Sequence, residues 1–314
     1  MNKKLNSILV AFRLRTLPAV LGPLIVSISI AIFDSFNIFK IVLILLIGIF
    51  LQILVNLIND LEDSNKGIDN ESRVGPLRAT QSGMLSKFEM QLIIYVIFFI
   101  CLLLGIIAFI ISGFFTLIMG VMLIFLAYTY TGGPKPYGYI GLGEVAVMIV
   151  FGPFTILGSL YLFDIYPSIY FILISLVPGL SASLIILVNN IRDIDNDQKG
   201  GKNTIAVILG EKKSRYLYFG IIIVIAIILI SIMFIFQNFL IIIPAILSLY
   251  IFPLSDLGFI KNNVYNWSLD LEKSKKLNEL NFTLIKTVKS HFIFCIILGI
   301  SLLIWPHLIN TSGI

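Results

Sequence analysis

Acidic and amide side chains recur at helical spacing where the second apolar run of the chain ends. Asn56, Asn59, Asp60 and Asp63 stand at offsets 0, 3, 4 and 7, which places them on one face if the run continues as a helix. Carboxylates this close repel one another, so a cation usually lies among them. Magnesium suits such oxygen ligands, because proteins commonly hold it with one or two carboxylates, water and substrate phosphates.

A second acidic cluster follows the sixth apolar run. Asp193 and Asp197 share one helical face with Asn189 or Asn190, whereas Asp195 points away from that face. We therefore predict that the two clusters together form one metal-binding site and that this site is catalytic. The predicted metal ligands are Asn59, Asp60, Asp63, Asp193 and Asp197, and the four aspartates among them are the predicted catalytic residues.

Both clusters lie in a faint internal repeat. Residues 55–60 and 188–193 read V-N-x-I-x-D, and a glycine follows each aspartate by seven residues. A basic-x-Thr triplet comes next, beginning at Arg78 in one copy and at Lys202 in the other. One isolated acidic pair would more simply be a solvated helix end. Two related clusters with asparagines at membrane depth favour function, because polar groups there are costly unless they face a cavity or a partner.

Basic and amide side chains near the acids are suited to binding diphosphate oxygens. The predicted diphosphate-binding residues are Arg78, Lys202, Arg192, Asn56 and Asn189. Each cation also has a simpler interpretation, which is the retention of positive charge in cytoplasmic loops. We prefer that interpretation for Lys199, Lys212 and Lys213. The matching positions of Arg78 and Lys202 in the repeat favour function for those two.

Residues 128–139 form a third segment that is rich in tyrosine, glycine and proline. Glycine and proline end the preceding helix there. Tyrosines at a membrane interface often serve only as headgroup anchors, but their ring faces also stabilise a cation or stack on an aromatic substrate. We predict that Lys135, Tyr130 and Tyr139 bind an aromatic acceptor.

Membrane helices must position these residues. The 314-residue chain is 58% hydrophobic and 12% charged, with a mean hydropathy of +1.03, whereas a soluble domain is about 25% charged. Because a span needs about 20 mostly apolar residues, we predict an all-α polytopic membrane protein of one domain, residues 1–314, with nine transmembrane helices. They are expected at 16–36, 38–59, 88–110, 113–130, 140–162, 168–190, 214–235, 238–256 and 289–309.

The distribution of basic residues predicts the orientation. With the N-terminus inside, all 22 Lys and Arg residues except Lys40 fall on the cytoplasmic side. The net charge of +5 then reflects topology, and we expect no nucleic-acid partner. Cys101 and Cys295 lie in apolar runs and are expected to be free thiols. The cytoplasmic segments are expected at about 60–87, 131–139, 191–213 and 257–288.

Residues 59–63 and 193–197 resemble the N-D-x-x-D and D-x-x-x-D motifs of the UbiA superfamily of intramembrane prenyltransferases. That resemblance implies a UbiA-like bundle of nine helices, Mg2+ as cofactor and polyprenyl diphosphate as donor. It also implies contact with membrane lipid, and an active site at the cytoplasmic face of a prokaryotic plasma membrane. The longer family motif has an acid where this chain has Gly67, and Asp69 would take its place. The family's Y-x-x-x-K motif corresponds to Tyr130 and Lys135 with one extra residue between them.

Residues 73–81, 137–141 and 201–204 look like the branch of the superfamily that prenylates 1,4-dihydroxy-2-naphthoate. Residues 13–19 look like it too, which adds Arg13 to the candidate residues without a defined role. The resemblance implies transfer of a polyprenyl group to that acceptor with loss of carbon dioxide and diphosphate. The product would be demethylmenaquinol, for menaquinone biosynthesis.

Other functions remain open at this point. Another aromatic or lipid prenyltransferase of the superfamily, acting on 4-hydroxybenzoate or homogentisate, is the nearest alternative. A secondary transporter also uses intramembrane acids, but its acids should lie in mid-span, whereas these lie at helix ends. A CDP-alcohol phosphotransferase would need a D-G-x-x-A-R element, which the sequence lacks.

Overall fold

A computed structural model describes residues 3–34, 36–67, 78–261 and 270–304. Every regular element in these ranges is helical, and they contain no strand, which confirms the all-α prediction. The α-helices are α1 (Lys3–Phe12), α2 (Pro18–Asp34), α3 (Ile38–Asn65), α4 (Lys87–Ser112), α5 (Phe114–Thr129), α6 (Gly143–Ile149), α7 (Thr155–Leu162), α8 (Ile169–Arg192), α9 (Ile194–Lys199), α10 (Ile205–Phe236), α11 (Ile242–Lys261) and α12 (Asp270–Leu303).

Helices are expected here, because in lipid the backbone must satisfy its own hydrogen bonds. Within the described ranges, six helices are long and apolar enough to cross a membrane: Ile38–Asn65, Lys87–Ser112, Gly143–Leu162, Ile169–Arg192, Ile205–Phe236 and Glu279–Leu303. A seventh arises if Lys4–Thr16 and Pro18–Ile32, which meet at a bend of 52°, form one span. The chain is therefore an integral membrane protein, and the count of nine spans stays a prediction.

Two of the segments predicted to be cytoplasmic loops contain helices. The segment expected at 257–288 is largely helical, because α11 runs to Lys261 and α12 already begins at Asp270. Residues 270–280 are rich in Glu, Lys and Leu, which are strong helix formers, so the last span extends as a helix beyond its apolar part. The segment expected at 191–213 contains α9 and the start of α10.

Close packing of two helical segments sets the position of the site. A π-helix (Val150–Phe154) joins α6 to α7 and contains Pro153, whose missing N–H interrupts regular α-helical bonding. This bend lies against α8 through two glycines. A Cβ on Gly152 would lie 2.6 Å from the Ser175 carbonyl oxygen, and one on Gly179 would lie 2.1 Å from that of Met148. The start of α6 is thereby held beside the end of α8.

Lys40 is partly buried and lies where the predicted topology places the outer side of the membrane. Lys40, the exception to the distribution of basic residues, makes an ion pair with Asp164 at 2.8 Å. Asp164 lies in the short connection between α7 and α8, which the predicted topology also places outside. The pair therefore neutralises the one positive charge that the topology leaves on this side.

We expect cysteine labelling to divide according to this topology. In a background lacking Cys101 and Cys295, a cysteine replacing exposed Tyr166, beside Asp164, should react with an impermeant thiol reagent in intact cells. A cysteine replacing exposed Lys199, in α9, should react only after permeabilisation. If only Lys199→Cys were labelled in intact cells, the result would indicate the opposite orientation in the membrane.

Candidate active site

A cavity of about 1070 Å³ lies inside the bundle. Its polar lining comes from the ends of α3 and α8 and from the segments that follow them, and its other walls are mostly apolar side chains of α2, α4, α5 and α7. Leu102 and Val121, on its apolar walls, are 42% and 60% exposed. The cavity therefore has a charged end and an apolar part.

Asp63 lies on the cavity wall and accepts hydrogen bonds from three side chains. It is 2% exposed, and α3 continues as a helix through it as the spacing predicted. The Tyr139 hydroxyl donates to its Oδ1 at 2.6 Å, and Lys202 Nζ approaches the same oxygen at 3.5 Å. Arg78 Nη2 donates to Oδ2 at 3.1 Å. Three predicted site residues from three separate segments thus meet at one carboxylate.

Tyr139 connects the two acidic clusters. Its ring lies between two ammonium groups, with Lys66 Nζ 4.8 Å and Lys202 Nζ 4.7 Å from the ring centre, an arrangement that stabilises both cations. The Asn203 backbone N–H donates to the Tyr139 carbonyl oxygen at 2.9 Å. These contacts fix the tyrosine-rich segment against the segment after α9.

Asp60 stands apart from the other predicted metal ligands. It is fully buried and is not among the described residues that line the cavity. Its two oxygens accept the backbone N–H groups of Ala79 and Thr80 at 3.0 and 3.1 Å, and Arg13 Nη2 lies 3.8 Å away. The observed contacts make Asp60 the anchor of the turn that carries Arg78.

Arg192, predicted to bind diphosphate, contacts other side chains of the site. It is buried, it is not among the described cavity-lining residues, and it bonds Asp193 through Nε at 2.7 Å and Nη2 at 2.6 Å. It further donates to Asn189 at 2.8 Å and to Asn281 of α12 at 3.1 Å. Arg192 therefore orients Asp193 and Asn189, which do line the cavity.

Asp197 completes the charged end of the cavity. It is 5% exposed, and burial raises its pKa to about 7, with the Lys202 charge opposing and Asp193 and Asp63 reinforcing the shift. Its backbone N–H donates to the Asp193 carbonyl oxygen at 2.8 Å. Carboxylates so close in a dry site favour a bound cation.

The oxygen-rich lining fits a hard cation such as magnesium. Asp63, Asp193 and Asp197 line the same cavity, although the described residues contain no group of three acids, histidines or cysteines close enough to hold an ion by themselves. Magnesium does not require such a cage, because substrate phosphates and water usually complete its shell.

The remaining predicted residues divide between the cavity and its surroundings. Asn56 lines the cavity but gives its amide hydrogens to Phe12 and Thr16, at 3.0 and 2.9 Å. The Thr131 hydroxyl donates to Asn59 at 2.7 Å. The other placements follow: Arg13 and Tyr130 line the cavity, Lys135 is exposed and away from it, and Asp69 lies outside the described residues.

Sequence reasoning missed several polar residues beside the cavity, and Glu144 and Asn281 are two of them. Glu144 is 4% exposed at the start of α6 and accepts a hydrogen bond from Asn190 at 2.9 Å. Asn281 of α12 lines the cavity within a segment that was expected to be a loop. Glu144 had a usable signal, because an acid at the end of an apolar span is a functional candidate.

Comparison with known proteins gives consistent matches. The sequence model of the UbiA prenyltransferase family matches residues 20–267. The 1,4-dihydroxy-2-naphthoate octaprenyltransferase of Haemophilus influenzae is 38% identical over 223 residues, which are 68% of this chain and 72% of that protein. The Escherichia coli protein of the same name is 38% identical over 214 residues, which are 65% of this chain and 69% of that protein.

The fold also matches a solved structure. A UbiA homologue from Archaeoglobus fulgidus bound to GPP and Mg2+ aligns with a TM-score of 0.65 at 16% identity, over 92% of this chain and 99% of that one. At this identity the likeness establishes the shared fold.

The contacts of Asp60 predict that replacing it with asparagine lowers the stability of the protein. Asp60→Asn turns an amide N–H2 toward backbone donors, so we expect a loss of about 1–3 kcal/mol in the free energy of unfolding, measured as a lower Tm in detergent. The exposed Asp195→Asn is the matched control and should leave Tm unchanged. An unchanged Tm in Asp60→Asn, together with lost metal-dependent substrate binding, would restore Asp60 as a metal ligand.

Proposed function

This chain belongs to the UbiA prenyltransferase family, and we propose that it transfers a polyprenyl group from polyprenyl diphosphate to 1,4-dihydroxy-2-naphthoate. Carbon dioxide and diphosphate are released, and the product is demethylmenaquinol for menaquinone biosynthesis. The observation that carries the proposal is the 38% identity to two 1,4-dihydroxy-2-naphthoate octaprenyltransferases. The cavity, with its charged end and its apolar part, supports it.

The proposal includes the arrangement in the membrane. The chain is a single domain, residues 1–314, of nine transmembrane helices, with the charged end of the cavity at the cytoplasmic face of the plasma membrane. Two shorter apolar helices, Phe114–Thr129 and Phe239–Phe252, would complete the nine together with the seven candidate spans. The distribution of basic residues, all of which except Lys40 fall on one side of the predicted topology, supports this orientation.

Magnesium is the proposed cofactor, held by Asp63, Asp193 and Asp197 with Asn59 nearby. When bound, it would neutralise negative charge on the diphosphate as that group leaves. A bound Mg2+ in the Archaeoglobus fulgidus homologue supports this assignment. Asp60 enters the proposal as the residue that positions Arg78, because its oxygens already accept two backbone N–H groups.

Arg78 and Lys202 are the proposed diphosphate-binding residues. Both line the cavity and both contact Asp63, so they can turn from that carboxylate to the diphosphate without crossing the site. Their positive charges stabilise the charge that builds on the leaving oxygen. Asn189, fixed by Arg192 at 2.8 Å, lies at the same end.

The apolar walls serve the prenyl chain and its reactive carbon. Breaking the allylic C–O bond leaves a cation that water would quench, and a closed helix bundle excludes water. Tyr130 and Tyr137 line the cavity, and their ring faces are suited to stabilising that cation or stacking on the acceptor. The tail would leave past Leu102 and Val121. Exposed Lys135 has no part in this scheme.

The alternatives are weaker. A related enzyme for 4-hydroxybenzoate or homogentisate would use the same charged end, but the relatives reported above are named for the naphthoate. A transporter is disfavoured by the family assignment and by acids that lie at helix ends.

Carboxyl-labelled acceptor tests the reaction directly. Purified protein with Mg2+ and a polyprenyl diphosphate should convert carboxyl-labelled 1,4-dihydroxy-2-naphthoate to a prenylated product and release the label as carbon dioxide, in amounts equal to the diphosphate. A chelator of Mg2+ should stop both the prenylation and the release of labelled carbon dioxide. A prenylated product that keeps the label would exclude this reaction, and turnover of 4-hydroxybenzoate alone would support the first alternative.

Three matched carboxylate-to-amide substitutions test the charged end. Asp63→Asn and Asp193→Asn should each lower kcat/KM by about a hundredfold or more, as expected when a group that stabilises charge in the transition state is removed. Asp195→Asn, on the exposed side of α9, should stay within about threefold. Near-normal turnover in the first two variants would contradict the assignment.

A further inference from the structure

Glu144 is a buried carboxylate that the proposed chemistry does not use. It lies at the second position of α6 and is 4% exposed. Its Oε1 accepts a hydrogen bond from Asn190 Nδ2 at 2.9 Å, and its Oε2 is buried with no hydrogen-bond partner among the described residues. Burying such a group is costly, so its retention calls for a function.

Two adjacent asparagines of α8 face different surroundings. Asn189 contacts Arg192 and Asp193 at the charged end of the cavity, at 2.8 and 3.4 Å. Asn190 turns instead to Glu144, and it too lines the cavity. The two asparagine amides therefore lie in different parts of the same cavity, although the sequence pattern does not distinguish the two residues.

Glu144 fixes which way the Asn190 amide points. Asn190 Nδ2 is the donor in this hydrogen bond, so the amide nitrogen faces Glu144. The amide is planar and carries its oxygen on the other side, which leaves Oδ1 as a hydrogen-bond acceptor for the cavity. Donation to a carboxylate also polarises the amide and strengthens that acceptor.

Two tyrosines that line the same cavity lie near the start of α6. The hydroxyl of Tyr130, which lines the cavity, would lie 3.6 Å from a Cβ added to Gly143, the residue before Glu144. The Tyr130 ring meets Tyr137 edge-on, with 5.4 Å between ring centres. The Tyr137 hydroxyl donates to the Leu126 carbonyl oxygen at 2.7 Å, which holds that pair of rings in place.

We infer that Asn190, oriented by Glu144, binds a ring hydroxyl of the aromatic acceptor against the face of Tyr130. This inference rests on the proposed function and names the part of the cavity that takes the acceptor. An amide oxygen beside a tyrosine suits a hydroxylated ring, whereas the basic side chains Arg78 and Lys202 at the charged end of the cavity suit the prenyl diphosphate. Glu144 is a positioning residue, and Asn190 makes the contact.

The neighbouring asparagines provide the test. In steady-state assays of the purified protein, Asn190→Ala should raise KM for the naphthoate about tenfold, as expected for the loss of one hydrogen bond, and leave KM for the prenyl diphosphate within about twofold. Asn189→Ala should show the opposite pattern. Asp164→Asn, at the far side of the bundle, should change neither. Equal effects of the two alanine variants on both KM values would overturn the inference.

Variants of Glu144 test whether it acts through Asn190. Glu144→Leu should reproduce the rise in KM for the naphthoate, and the double variant with Asn190→Ala should be no worse than Asn190→Ala alone, because residues that act as a unit are not additive. Glu144→Gln keeps an acceptor oxygen and should restore most of the binding. Additive effects of the two substitutions would overturn the positioning role.

Methyl ethers of the acceptor make the test independent of protein stability. If the inference holds, at least one mono-methyl ether of 1,4-dihydroxy-2-naphthoate should bind about tenfold more weakly than the parent to the unmodified protein and about equally to Asn190→Ala, in fluorescence titrations. Equal discrimination by both proteins would overturn the inference. Failure of the proposed function is distinct from this result, because the unmodified protein would then not turn over the naphthoate at all.

Discussion

The burial of Asp63 is the constraint on which the rest of the site depends. A carboxylate that is 2% exposed at the edge of a membrane bundle is costly unless donors surround it, and removing one partner of a buried pair costs about 3–5 kcal/mol. Its donors come from three segments that are distant in sequence, Arg78, Tyr139 and Lys202. Satisfying one carboxylate therefore brings together the turn after α3, the tyrosine-rich segment and the segment after α9.

The same contacts prepare the proposed chemistry. Arg78 and Lys202 neutralise Asp63 in the structure, and a diphosphate with its metal would take over both halves of that interaction: the metal would neutralise the acids and the bases would bind the phosphate. Because the donors are already in place, little reorganisation is needed as charge develops on the leaving group. The second part of the cavity, around Asn190 and Tyr130, is left for the hydroxylated ring of the acceptor.

The sequence predicts the helical class and the position of the site, because periodicity and apolar length are local properties. The helix through Asn56 and Asp63 and its end before Gly67 follow from such signals. Tertiary contacts decide the rest. Asp60 and Asp63 share one helical stripe, yet a turn 19 residues later binds the first. Asn189 bonds Arg192 at the end of its own helix, whereas the partner of Asn190, Glu144, lies on α6, which the sequence pattern does not reveal.

The central claim, that Asp63 exchanges its basic partners for a metal-bound diphosphate, is tested by linked binding. A non-hydrolysable prenyl diphosphate analogue should be titrated calorimetrically with and without Mg2+, for the unmodified protein and for Asp63→Asn. The account predicts that Mg2+ tightens binding about tenfold or more in the unmodified protein, as one good ionic contact would, and has little effect in Asp63→Asn. An unchanged response to Mg2+ in Asp63→Asn would contradict it.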